Sequence, residues 1–251
     1  MIHYPDMAYD GIIFDKDGTL FDYYTVWAPV FRENISFVLK QFGREDDISL
    51  KKELLQLLGI GEYAINPKGL VFKHNGPLML FNLFLFSKRN HLPYKRLIDG
   101  FKHGYYDSQE LIKDSLKKYT SSTHLVPLFQ KLKDHHYAIG IATSDNAEST
   151  ATCLDHLNIA PYVDMVSTYD DHFKKKPNPE SFIAFCKRFS IHPKSVVVVG
   201  DALVDMKYAK RGHAGYIIGV LTGSNDIKHL SKLAQVVYPS IDDIIDDSVL
   251  F

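Results

Sequence analysis

Along the C-terminal half of the chain, short apolar runs that stop at polar residues alternate with stretches of helical period. AIGIA at 138–142 stops at Thr143-Ser144-Asp145, VVVV at 196–199 stops at Gly200-Asp201, and YII at 216–218 follows in the same rhythm. Before the first of these, Leu125, Leu128, Phe129 and Leu132 mark one face of a helix over 124–136. Further helices are expected from Asp145, read as a cap, to about Leu157, near 179–189, and from about Val204, with another strand at 163–166. Strands separated by helices imply a parallel sheet, and uninterrupted apolar runs imply strands covered on both faces, because neither face meets water. The expected fold class is therefore α/β, a doubly wound parallel sheet of Rossmann-like type. Ligands bind such sheets beyond the carboxyl ends of the strands. The polar groups expected there are Asp15 and Asp17 after a first strand, GIIF at 11–14, then Thr143 and Asp201.

Residues from about 22 to 120 break this alternation. They read as helical and aromatic-rich, with Trp27, Phe31, Phe37 and Phe42 early and a Gly/Pro-punctuated loop over 59–77. The apolar run 78–86 is far shorter than the ~20 residues that span a bilayer and is closed by Lys88-Arg89, so it reads as a buried helix. The expected organisation is a core from 1–21 and 121–251, with 22–120 an all-helical cap inserted after the first strand to cover the edge where the polar groups gather. Helices packed on the flank of the sheet are the alternative.

Composition narrows the partners. With 29 basic and 30 acidic side chains, a formal charge of -1 and no long block of one sign, neither a nucleic-acid footprint nor a polybasic membrane patch is present. A small charged metabolite remains as the expected partner of a monomer or homodimer. Cys153 and Cys186 lack metal-ligand spacing and read as reduced core residues. Since the N-terminal residues also show no signal-peptide pattern, a cytoplasmic location is expected.

FDKDGTLFD at 14–22 sets two carboxylates two residues apart at the end of a buried strand. Two anions at ~4 Å repel by about 4 kcal/mol at an effective dielectric near 20, so the pair calls for a cation, a shared proton or solvent. DKDGTL at 15–20 resembles the DxDGT motif of the haloacid dehalogenase-like (HAD) phosphohydrolases, and chance would supply it with a probability on the order of 10⁻³ or less. IGIAT at 139–143 resembles the second motif of that family, KPNPE at 176–180 the KPxP[DE] form of the third, and GDALVD at 200–205 the GDxxxD form of the fourth. All four occur in order. The pattern is most similar to phosphoglycolate phosphatase-like members.

The resemblance implies Mg²⁺ held by Asp15, Asp201 and the Asp17 backbone carbonyl, with Asp205 a ligand or its support. Mg²⁺ favours carboxylates, water and substrate oxygens over thiolates and imidazoles. Asp15 is the expected nucleophile, since an ionised carboxylate can attack phosphorus once a divalent cation screens the approach of two anions. Asp17, whose side chain is not spent on the metal, is suited to protonate the leaving alkoxide and later to accept a proton from water. Lys176 and Thr143, whose role Ser144 can share, would bind the non-reacting phosphate oxygens. Lys174 and Lys175 are neighbouring candidates, but Lys176 abuts Pro177 as the family pattern requires. Gly18 permits close backbone approach and Thr19 ties down the loop.

Two departures stand out: Lys16 fills a position that is often apolar in the family, and RGHAG at 211–215 replaces a run of small residues. The implied activity is hydrolysis of a small phosphate monoester through a phosphoaspartate. A phosphoglucomutase-like transferase and a pyrophosphatase or nucleotidase share the motifs, and a non-catalytic binding protein on the same scaffold is the remote rival. Specificity is expected in the insertion, with Lys68, Lys73, His74 and Asn75 as loop candidates.

Overall fold

The computed structural model describes residues 9–66, 68–71, 76–107, 109–120, 124–223 and 227–251. Contacts divide the chain into two units, one of Met1–Asp22 with Leu116–Phe251 and one of Tyr23–Ser115. The boundaries expected from sequence were 21/22 and 120/121.

The first unit holds strands β1 (Gly11–Phe14), β2 (Ala138–Ala142), β3 (Met165–Ser167), β4 (Val196–Gly200), β5 (Tyr216–Val220) and β6 (Val236–Tyr238). They form one parallel sheet in the order β3-β2-β1-β4-β5-β6. Every residue of β1, β4 and β5 is buried, as strands covered on both faces must be. Helices α6 (Leu125–Asp134), α7 (Ala147–His156), α8 (Glu180–Phe189) and α9 (Leu203–Gly212) alternate with the strands. Phe182 and Phe185 of α8, Met206 and Ala209 of α9, and Val196, Val198 and Ile217 of the sheet share one apolar cluster.

Register fixes where the polar residues emerge. Phe14 lies opposite both Ile141 and Val199, and Gly200 opposite Gly219. The residues after these strands therefore surface along one edge. The Asp15 N–H donates to Val199 O at 2.9 Å, and the Thr143 N–H donates to Ser167 O at 2.9 Å.

Several details depart from the sequence expectations. Strand β6 was not expected: it has three residues, all only partly buried, at the sheet edge, too few to establish a period. Val163 and Asp164 precede β3 rather than belong to it. The Asp164 carboxylate accepts from the Ile139 N–H at 2.7 Å and from Lys133 Nζ at 2.7 Å. Asp145 does not cap α7. Asn146 does, accepting from the Ser149 N–H at 2.8 Å, while Asp145 Oδ1 accepts from the Asn146 N–H. Cys153 and Cys186 are buried free thiols, as expected.

The second unit contains α1 (Tyr23–Lys40), α2 (Ile48–Leu58), α3 (Gly76–Arg89), α4 (Tyr94–Asp107) and the first part of α5 (Gln109–Thr120). Its own core gathers Ile35, Val38, Leu39, Leu54, Phe86 and Leu97. Asp47 caps α2 by accepting from the Leu50 N–H at 2.9 Å. Helix α3 is not the buried helix its composition suggested. Leu83 and Phe86 face the core, but Leu80, Phe81, Phe84 and Leu85 remain 39% to 57% exposed. A helix packed along one side buries only one stripe, whatever lies on the other. Among the described residues no helix is long and apolar enough to cross a membrane.

Candidate active site

The loop after β1 is a tight turn in which the Leu20 N–H donates to Lys16 O at 2.9 Å. Gly18 takes φ +82, a left-handed conformation costly for a side chain, and a Cβ there would also lie 2.7 Å from Gly223 Cα. From beyond β5, the Thr222 hydroxyl donates to Gly18 O at 2.8 Å. A Cβ at Gly223 would collide with the Asp201 carboxylate. Thr222 and Gly223 thus hold the β1 loop and the loop after β4 at close range. Neither was singled out from sequence, although their place directly after a buried strand is the signal that would find them.

Asp15, Asp201 and Asp205 each offer a carboxylate oxygen, and these oxygens lie within 4.8 Å of one another. Lys176 bridges two of the acids, with Nζ 2.5 Å from Asp15 Oδ1 and 2.7 Å from Asp205 Oδ1. The other Asp205 oxygen accepts from the Ala202 N–H at 3.1 Å, which orients it at the start of α9. The Thr19 hydroxyl lies 3.4 Å from Asp15 Oδ2, at the outer limit of a hydrogen bond.

Burial pushes the Asp15 carboxyl above the usual carboxylate range, against the pull of Lys176. Burial alone would lower Lys176, but Asp15 and then Asp205 outweigh it and hold the ammonium charged. Three carboxylates against one ammonium leave two negative charges, each pair of acids repelling by roughly 3 to 4 kcal/mol at an effective dielectric near 20. A hard divalent cation fits this all-oxygen donor set.

Asp17 does not join the acidic cluster. Its carboxylate turns to Lys16, whose Nζ lies 2.9 Å from each oxygen. Burial raises the Asp17 carboxyl, and Lys16 opposes that rise. Thr143 is buried, and its hydroxyl oxygen accepts from the Asp145 N–H at 3.1 Å, while Ser144 is exposed. Thr143, Ser144 and Lys176 line one small cavity of about 20 Å³, with Ser167 and Tyr169 on its wall. A roomier cavity of about 320 Å³, between α7 and the β3 edge, includes none of these side chains.

Lys68 lies in the second unit, exposed, its N–H donating to Asn66 Oδ1 at 3.0 Å. Lys73, His74 and Asn75 lie outside the described residues.

Residues 9–213 match the family model described as haloacid dehalogenase-like hydrolase. A phosphorylated carbohydrates phosphatase of Thermotoga maritima is 23% identical, the match covering 94% of this chain and 97% of that protein. The phosphoglycolate phosphatase of Escherichia coli is 30% identical over 124 residues, 49% of this chain and 48% of that protein. In fold, a candidate β-phosphoglucomutase from Thermotoga maritima superposes with a TM-score of 0.64 at 20% identity, covering 94% of this chain and 96% of the other.

Proposed function

We propose that this chain, which belongs to the haloacid dehalogenase-like hydrolases, is a Mg²⁺-dependent phosphatase that hydrolyses a small phosphate monoester through a phosphoaspartate on Asp15. The observation that carries the reading is the division of labour between the two acids of the β1 loop. Asp15 stands in the acidic cluster beside Lys176, while Asp17 stands outside it. On this reading one carboxylate makes the attack and the other carries the proton.

Asp15, Asp201 and Asp205 would hold the cation, with the Asp17 carbonyl as a further ligand. When bound, the cation screens the charge between carboxylate and phosphate. Asp15 attacks phosphorus as the ester oxygen leaves with a proton from Asp17. Water then attacks the phosphorus of the aspartyl phosphate, giving its proton to Asp17; the bond to Asp15 breaks, freeing its carboxylate and releasing inorganic phosphate. Lys176 and the Thr143 hydroxyl disperse charge over the non-reacting oxygens. The upward push of burial on Asp17 suits an acid that must hold its proton nearer neutrality than an ordinary carboxyl does. Discrimination among esters is assigned to the helical unit, in which Lys68 is a candidate contact.

The test is a panel of sugar phosphates, phosphoglycolate, nucleotides and pyrophosphate, with phosphate release followed with Mg²⁺ and with EDTA. Release from a monoester that EDTA abolishes is expected. Transfer of phosphate back to the sugar without release would indicate a mutase, and no turnover of any ester would overturn the reading. Gly223→Ala tests the loop packing within the same assay. By displacing the Asp201 carboxylate it should cut the rate by about 10²-fold, the scale of a 1 Å misplacement, and raise the Mg²⁺ concentration needed for half-maximal activity. An unchanged Mg²⁺ titration would show that Asp201 tolerates the intrusion.

A further inference from the structure

A buried lysine between the two aspartates of the motif has no role in the chemistry set out above. The Lys16 side chain is 1% exposed, with its Nζ 2.9 Å from each oxygen of Asp17 and 3.1 Å from Asp145 Oδ2. The Phe21 ring lies 5.6 Å from the same nitrogen. Asp145 belongs to the loop after β2, and its position there is set independently. Its N–H donates to the Thr143 hydroxyl, its Oδ1 accepts from the Asn146 N–H at 2.8 Å, and its carbonyl accepts from the Tyr169 N–H at 2.7 Å. Asp145 Oδ2 is buried and, among the described residues, accepts no hydrogen bond; the Lys16 ammonium is its ion-pair partner there. One cation therefore ties the Asp17 carboxylate to the loop that carries Thr143.

We propose that Lys16, anchored by Asp145, is a positioning residue that fixes the Asp17 carboxylate for proton transfer; the inference rests on the acid/base reading of Asp17. A carboxylate two residues from Asp15 on a glycine-containing loop could instead turn toward the cation-binding acids. Joining them would make it a fourth anion in that cluster and remove it from the leaving group. Gripping both oxygens of Asp17 excludes that orientation. An apolar residue at position 16 would give no such hold. Burying a lysine stem and its charge is costly unless the charge is paired and hydrogen-bonded, and here two acids pair it.

The experiment compares Lys16→Met, which keeps an unbranched apolar stem, with Asp17→Asn and the double variant. Each is assayed with Mg²⁺ on an alkyl phosphate that the enzyme turns over and on p-nitrophenyl phosphate. Lys16→Met should lower kcat on the alkyl ester by about 10²-fold, leave KM near its original value and, as in Asp17→Asn, release nitrophenol from the aryl ester in an initial burst. Lys16→Arg, which retains a buried cation, should recover part of the loss. In the Asp17→Asn background Lys16→Met should cost nothing further, since residues acting through one another are not additive.

Equal losses on both esters with no nitrophenol burst, or a loss that adds fully to that of Asp17→Asn, would overturn the proposal and leave Lys16 a structural ion pair. Should Lys16→Met fail to fold, Asp145→Asn loosens the same tie from its other end. It keeps an oxygen for the Asn146 N–H and is held to the same two criteria. If Asp17→Asn itself shows no preference between the esters, the acid/base reading is lost and the Lys16 proposal falls with it. If Asp17→Asn shows that preference and neither Lys16→Met nor Asp145→Asn does, the Lys16 proposal alone fails.

Discussion

Asp15→Asn is expected to reduce turnover by about 10³-fold or more, roughly 4 kcal/mol in the barrier, while circular dichroism and melting temperature stay near those of the parent. The amide keeps the shape of the carboxylate, and the backbone bond from Asp15 N to Val199 O does not involve the side chain. Lys176 retains Asp205 as a partner. What disappears is the proposed attacking charge and one of the three carboxylates that would hold the cation. Cation binding to the folded state raises stability by mass action, so the rise in melting temperature produced by Mg²⁺ should shrink in the same variant. A loss of activity under about tenfold, or 1.4 kcal/mol, would remove Asp15 from the role of nucleophile.

The second large effect depends on which ester is offered. Asp17→Asn has no proton to give, so an alkyl phosphate should slow by about 10² to 10⁴-fold. The p-nitrophenolate of an aryl ester departs unaided and should still leave its phosphate on Asp15. Because the variant also lacks the base that activates water, nitrophenol should appear as a burst followed by slow turnover while phosphoenzyme accumulates. Stopped-flow absorbance and acid-quench trapping of the phosphoaspartate read the two phases. Esters that slow equally, with no burst at millisecond resolution, would mean that Asp17 positions rather than transfers.

The sheet core and the acidic cluster were legible because they are local in sequence. A strand must be apolar throughout to be covered on both faces, and DKDGTL, KPNPE and GDALVD each carry their chemistry within six residues. What escaped notice depends on contacts between distant segments. Lys16 stood out only as an unusual residue, since its partner Asp145 lies beyond the whole helical insertion and itself looked like a helix cap. The helix cap is Asn146, one residue later. Thr222 and Gly223 carry no motif, and their meaning comes from the close approach to Gly18 and Asp201. Helix α3 misled for the opposite reason. Its apolar residues surround the axis, and periodicity does not say which side the core takes.

The position of β1 in the sheet bears on how the chain is made. β1 is flanked by β2 and β4, and both follow the helical insertion in sequence. As the polypeptide leaves the ribosome, β1 therefore emerges with neither neighbour available. Residues 23–115 carry their own apolar cluster and can condense during that interval. The Asp15 partner Lys176 lies 161 residues downstream, and Thr222, which closes the Gly18 loop, lies 204 downstream. Asp15 is thus synthesised well before its chemical surroundings, which assemble only after Lys176 and Thr222 have emerged.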